Sequence, residues 1–393
     1  MSDNTVVIAG AARTPMGGMM GSLSSVSSPQ LGAVAIRAAI ERSGLKPVDI
    51  DEVIMGCVLP AGLGQAPARQ ASRASGISDS AGCSTINKMC GSGMQAVIMA
   101  HDQIKAGTNN IMIAGGMENM SQAPYLLPKA RAGMRMGHGQ VMDSMFLDGL
   151  EDAYDGSLMG VFAQQSADDY KITREQMDDF AIQSLERANA AINKGWFEPE
   201  ISAVTVSGRG GDTQVDIDEQ PGNACPEKIP TLKPAFQKDG TVTAANASSI
   251  SDGASALVLA SSEEAKARGL TAQAKTVAHA THAQVPEEFT LAPIGAIEKV
   301  LKKAGWNKND VDLYEVNEAF AVVSLLAINE LELDADKVNV YGGACALGHP
   351  IGSSGSRIMI TLMNALQQKG LKRGVAALCI GGGEATAVAI ELI

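Results

Sequence analysis

The sequence predicts an α/β fold made of two similar halves with a long insertion between them. Three observations predict it. Apolar runs such as "NTVVIAGA", "NIMIAGG" and "GVAALCIGGG" lack alternation, the mark of strands covered by helices on both faces. Helical periodicity follows Gly-rich turns: Met359, Leu362, Met363 and Leu366 fall at i, i+3, i+4 and i+7. The chain also repeats itself. "AIERSGLKPVDIDEVIMG" matches "VLKKAGWNKNDVDLYEVN", with Gly44 over Gly305, Asp49 over Asp310 and Asp51 over Asp312. The offset (305 − 44, 310 − 49) is 261 each time, so the spacing is kept without a gap.

The elements follow in order. Residues 1–120 form the N-terminal half: an apolar strand, a helix stopped at Gly44, and a second strand. Then come the turn "CGSG", an amphipathic helix ending near Gly107, and a strand closing in Gly-Gly. Residues 121–249, richer in turns and charge, read as an inserted loop domain. Its clear helix, "TREQMDDFAIQSLERANAAINKG", opens on a Thr173–Gln176 capping box and ends at Gly195. "VTAANASSISDGASALVLAS" returns to a strand that completes the first half over about residues 250–269. Residues 270–393 form the C-terminal half, where "GHPIGSSGSRIMITLMNALQQKGLKRGVAALCIGGGEA" restates the turn–helix–strand plan and Gly370 stops the helix.

Composition narrows the function. Hydrophobic residues make up 45% and charged residues 19%, as in ordinary globular chains. A formal net charge of −12 argues against a nucleic-acid partner, which needs clustered Lys and Arg. One basic run, "PKARAGMRMGHG", gathers Lys129, Arg131, Arg135 and His138 and supplies local positive charge for an anionic ligand. No apolar stretch approaches the ~20 residues that cross a bilayer, so no membrane is expected. The N-terminus lacks a secretory pattern, and "IELI" is not a peroxisomal address. Six scattered cysteines without a C-x-x-C pair fit free thiols in the cytoplasm. Five histidines without ligand spacing suggest no metal.

Four polar corners carry the chemistry. Cys90, in "NKMCGSGMQAV", sits just before a helix expected to start near Ser92, where free backbone N–H groups and the helix dipole lower a thiol pKa. Gly91 and Gly93 allow another backbone or a substrate to come close. His349, in "GGACALGHPIGSSGS", occupies the equivalent corner of the second half, and a Cys beside a His is an activated nucleophile pair. Cys379 ends the last buried strand before Gly381, Gly382 and Gly383, placed to act as acid or base beside bare N–H groups. Asn317 lies at a strand end in "EVNEAFA".

Together, "NKMCGSGMQAV", "GGMENMSQAPY", "GTVTAANASSISDGA", "VNEAFAV", "GGACALGHPIGSSGSR" and "CIGGGEA" resemble the thiolase family over essentially the whole chain. The resemblance implies a duplicated five-layer α-β-α-β-α architecture. It implies reversible Claisen condensation of two acetyl-CoA to acetoacetyl-CoA and CoA through an acetyl-Cys90 intermediate. Cys90 is then the nucleophile, His349 its activator, and Cys379 the acid or base at the α-carbon. Asn317 with His349 would fix a water in one oxyanion hole, and the N–H groups of Cys90 and Gly381 would form the other. Ser248, Leu150, Met159, Phe236, Ala319 and Phe320 fall where the family contacts CoA, and Phe289 falls at the acyl pocket. No cofactor is implied, CoA being substrate and product, and the partners are acyl-CoA substrates and further copies of the chain in a homotetramer.

Some positions depart from the commonest pattern. Leu158-Met159-Gly160 stands for His-Met-Gly, Phe289 for Met, and Cys345 for an aliphatic residue; Gly222 and Asn223 stand near a frequent Arg. A degradative thiolase of broader chain length is the alternative within the family. A decarboxylating condensing enzyme would lack the C-x-G-G-G cysteine. A non-catalytic dinucleotide-binding protein would need a G-x-G-x-x-G in context, which is missing.

Overall fold

The computed structural model describes residues 5–393. The N-terminal half carries strands β1 (Val6–Arg13), β2 (Glu52–Gly56), β3 (Gly82–Ile86), β4 (Ile111–Asn119) and β5 (Ser251–Ser261). The C-terminal half carries β6 (Ala274–Ala283), β7 (Leu313–Val316), β8 (Arg373–Ile380) and β9 (Glu384–Leu392). The principal helices are α1 (Ser28–Ser43), α2 (Ser92–Lys105), α3 (Met159–Asp169), α4 (Arg174–Asn193), α5 (Ala292–Ala304), α6 (Ala321–Glu330) and α7 (Ile351–Lys369).

The matched residues of the repeat do matched work. Gly44 and Gly305 both end a helix in the left-handed region, at φ 76° and 69°. The Asp51 carboxylate accepts the N–H groups of Asn110 and Ile111 at the start of β4, at 2.8 and 2.9 Å. The Asp312 carboxylate accepts those of Lys372 and Arg373 at the start of β8, both at 2.9 Å. Strand pairing repeats as well. β2 runs parallel to β4, which is antiparallel to β5, which is antiparallel to β1. β7 runs parallel to β8, which is antiparallel to β9, which is antiparallel to β6.

The sheet order is β7-β8-β9-β6-β1-β5-β4-β2-β3, with the short strand Gly17–Gly18 beside β5. The halves join where Val7 faces Lys275 and Ile8 faces Ala274. Helix α1 covers the outer face of the first half and α5 the outer face of the second. α2 and α7 lie together between the halves, giving the α-β-α-β-α layers. α7 is buried at every residue from Ile351 to Leu366, as a central helix must be. Its approach to β4 depends on Gly116: a Cβ there would stand 1.9 Å from the Gly352 carbonyl oxygen. The inserted region holds α3 and α4, and α4 shows the expected Thr173–Gln176 capping box.

Candidate active site

The turn before α2 is folded by its polar lead-in. The Asn87 side-chain oxygen accepts the Met89 N–H at 2.8 Å, and the Ser92 hydroxyl accepts the Lys88 N–H at 2.8 Å while donating to the Met89 carbonyl at 2.6 Å. Met89 is held in the left-handed region at φ 45°, which turns the chain sharply into Cys90. Gly91 is the N-cap of α2, so Cys90 lies one residue outside the helix. Gly93 is required by the other half: a Cβ there would stand 2.6 Å from the Ser356 Oγ and 2.9 Å from the Ser356 N. The backbone that comes close is α7. The Lys88 ammonium also pairs with the Glu384 carboxylate across the halves.

His349 stands on the matching corner before α7. Its N–H faces the Ser249 carbonyl and the Ser251 hydroxyl, each at 3.2 Å. Its Nδ1 lies 2.5 Å from the Ser354 Oγ, and that hydroxyl donates to the Pro350 carbonyl at 3.1 Å. A hydroxyl that donates elsewhere must accept from Nδ1, so the hydrogen-bond network assigns the Nδ1–H tautomer. Nε2 then keeps a free lone pair, and among the described residues it has no partner. Burial, reinforced by Arg357, pushes the imidazole pKa down to about 3, so His349 is neutral.

Cys379 is 1% exposed at the end of β8, where it faces Ala385 of β9. Gly382 and Gly383, both left-handed at φ 89° and 84°, make the turn that follows. The backbone N–H groups of Gly381 and of Cys90 itself point at the Cys90 sulfur. They favour a thiolate, as the position before the helix suggests, but burial outweighs them and pushes the Cys90 thiol up to about 11. Against the lowering that the position suggests, the thiol is thus raised, because enclosing the sulfur removes more hydration than two donors restore. Cys379 is raised well above its ordinary value by burial and by the neighbouring Cys90.

One apolar cavity of about 490 Å³ gathers these groups. Cys90, His349, Cys379 and Gly381 line it, and so do Leu150, Met159, Phe236, Ser248, Phe289, Ala319 and Phe320. The Phe320 ring meets Phe236 and Phe289 edge-on, with centroids 6.3 and 6.2 Å apart. The Ser248 N–H donates to the Ala319 carbonyl at 2.9 Å, closing that wall. Asn317 does not line the cavity. It sits 1% exposed at the end of β7, its N–H bound to Ala377, with both amide atoms buried and unpartnered among the described residues. Such an amide is a site for an ordered water. Asn223 lines a second cavity of about 340 Å³, with Lys228, Cys225 and Cys345, which shares Ala244 and Ser249 with the first.

Two buried carboxylates escape sequence reasoning. Glu118 accepts the N–H groups of Val58, Leu59 and Gly352 at 2.9–3.1 Å, tying the loop after β2 and the start of α7 to β4. Glu318 accepts the Ser184 hydroxyl at 2.7 Å, the Asn339 amide at 2.9 Å and the Cys345 N–H at 3.1 Å. It holds the segment from Asn317 to Phe320 against α4. The signal available for both is an acidic residue set in an otherwise apolar strand or strand end.

Family models of the thiolase N-terminal and C-terminal domains match residues 6–263 and 270–392. A probable acetyl-CoA acetyltransferase of Dictyostelium discoideum is 50% identical over 388 residues, 98% of this chain and 94% of its own. The acetyl-CoA acetyltransferase of Pseudomonas aeruginosa is 46% identical over 98% of both chains. The crystal structure of the Bacillus anthracis acetyl-CoA acetyltransferase superposes with a TM-score of 0.97 at 40% identity, covering 99% of both chains. An Ascaris suum thiolase in complex with coenzyme A gives 0.93 at 44% identity, covering 99% of this chain and all of that one. Matched through both domains and along nearly its whole length, the chain belongs to the thiolase family.

Proposed function

We propose that the chain is an acetyl-CoA C-acetyltransferase, interconverting two acetyl-CoA with acetoacetyl-CoA and CoA. The observation that carries this reading is the convergence of Cys90, His349 and Cys379 on one apolar cavity. The names of full-length relatives at about half identity support the substrate.

In the reading we favour, the Cys90 sulfur attacks the thioester carbonyl while its proton passes to His349 Nε2. The departing CoA sulfur takes a proton from Cys379. That leaves a thiolate whose raised pKa makes it a strong base for the second acetyl-CoA. Cys379 removes an α-proton, and the enolate oxygen rests on the His349 imidazolium and on a water held by Asn317. The enolate carbon attacks acetyl-Cys90. The oxyanion so formed meets the N–H groups of Cys90 and Gly381, each such donor being worth about 10²–10³ in rate. Collapse expels the Cys90 sulfur, which recovers its proton from His349. All three side chains end as they began, and CoA enters only as substrate and product.

Phe289, 2% exposed and braced by Phe320, would close the far end of the acyl pocket. This favours acetoacetyl-CoA, with some thiolysis of its 2-methyl homologue and poor activity on long chains. Six free cysteines fit action in the reducing cytoplasm. The exposed arm around Lys129, Arg131 and Arg135 fits a homotetramer in which it lends positive charge towards a facing subunit's CoA.

The Cys379→Ser variant tests the division of labour. It should still accumulate acetyl-Cys90 from acetyl-CoA, detected by mass spectrometry of peptides, yet form no acetoacetyl-CoA; Cys90→Ala should do neither. Acetyl found on Cys379 or Cys345 of the wild type would sink the assignment.

A further inference from the structure

The spacing of the five histidines suggests no ligand set, yet folding brings two of them to one carboxylate. Asp102, on α2, points its Oδ1 at His101 Nδ1 (3.0 Å) and at His279 Nε2 of β6 (2.9 Å). The two imidazoles meet edge to face, centroids 5.0 Å apart and planes at 80°. One donor atom from each of the three side chains lies within 4.8 Å of the others. None of them touches the active-site cavity.

We propose that His101, Asp102 and His279 bind one divalent transition-metal ion of the zinc type, stapling α2 of the first half to β6 of the second. Zinc held tetrahedrally at about 2.0–2.1 Å separates adjacent ligand atoms by roughly 3.3 Å, close to the two N–O spacings present. Asp102 is 58% exposed, so the remaining position opens to water. The ligand chemistry fits as well. Two imidazoles and one carboxylate suit zinc, cobalt(II) and nickel(II) rather than calcium or magnesium, which prefer oxygen. Binding replaces two N–H···O hydrogen bonds by two metal–nitrogen bonds. Each imidazole moves its proton to the ring nitrogen that faces away, and no net proton is released.

Two ammonium groups oppose the ion. Lys105 lies one helical turn from His101 and acts on it electrostatically, and Lys303 donates to the His279 carbonyl at 3.0 Å. The site therefore binds more weakly than an all-thiolate site.

Cobalt(II) is the probe. Full-length protein, its reactive thiols first blocked with iodoacetamide, is titrated while visible d–d absorption is followed, and zinc is then added in competition. The wild type should take up one equivalent, displaced by zinc, with no sulfur-to-cobalt charge-transfer band. His279→Gln and Asp102→Asn should each weaken uptake by about tenfold or more, while acetoacetyl-CoA thiolysis in metal-free buffer stays at the wild-type rate. Asp102→Asn is isosteric and exposed, so it carries the test even where His279→Gln folds poorly. Equal uptake by variants and wild type, no uptake by the wild type at millimolar cobalt, or a thiolate band would each overturn the proposal.

Discussion

Glu118 shows how one residue can hold a site without touching substrate. Its carboxylate receives three backbone N–H groups and the Cys57 thiol, donors that all prefer the ion, while complete burial prefers the acid. Burial prevails and raises the group from 4.5 to about 7. A carboxyl whose folded pKa exceeds its unfolded one contributes stability that is full below about 4.5 and is lost as pH rises through about 7. We expect the urea midpoint to fall across this window by the equivalent of about 3 kcal/mol or less. Glu118→Gln should flatten the fall, leaving the part due to Glu315, which burial raises to about 8. Identical slopes in both proteins would remove Glu118 from the account. Phe289 tests specificity at the same scale. Phe289→Met should shift relative kcat/KM towards longer, unbranched 3-ketoacyl-CoA by a graded amount, since a methylene is worth only ~1–3 kcal/mol in such a pocket. Turnover of a C16 substrate equal to that of acetoacetyl-CoA in the wild type would instead favour the broad degradative reading. Cys90, His349 and Cys379 are legible as residues because Gly-rich corners advertise them. Glu118 is not, since a lone acid in an apolar strand becomes meaningful only when the donors it serves, 60 and 234 residues away, are brought to it.

At the scale of elements, the repeat was the most informative part of the sequence. A constant offset of 261 carries over to paired helix caps, paired strand starts and the same order of parallel and antiparallel neighbours. The repeat does not reveal how the halves meet, because that depends on missing side chains. Gly116 and Gly93 let β4 and α2 press against α7, where a Cβ would stand 1.9 and 2.6 Å from the nearest atoms. Gly116→Ala collides with backbone that cannot rotate away. It should cost about 3 kcal/mol or give insoluble protein, as overpacked cores do. Gly222→Ala meets nothing within 4 Å among the described residues and serves as the neutral comparison in the same urea titration. A Gly116→Ala protein as stable as that comparison would show that α7 can shift without penalty.

At the scale of the molecule, charge decides. A chain of net charge −12 repels the phosphates of CoA until local cations intervene, and the arm with Arg131 and Arg135 is exposed. Replacing both by Gln should raise KM for CoA substrates several-fold at low ionic strength, and much less at several hundred millimolar salt, where screening already removes the attraction. A salt-independent rise would point to lost packing.

The burial of α7 between the halves also imposes an order of events in time. The chain emerges from the ribosome N-terminus first, and β1 to β5 are complete long before α7 is made. Yet the inner face of those strands is covered by α7 as well as α2, and β4 lacks its partner backbone until Gly352 arrives. The nascent first half must therefore wait with apolar surface uncovered until Ile351–Lys369 is released. A protein stopped short of Ile351 is then a client for chaperones and proteases, not a working half.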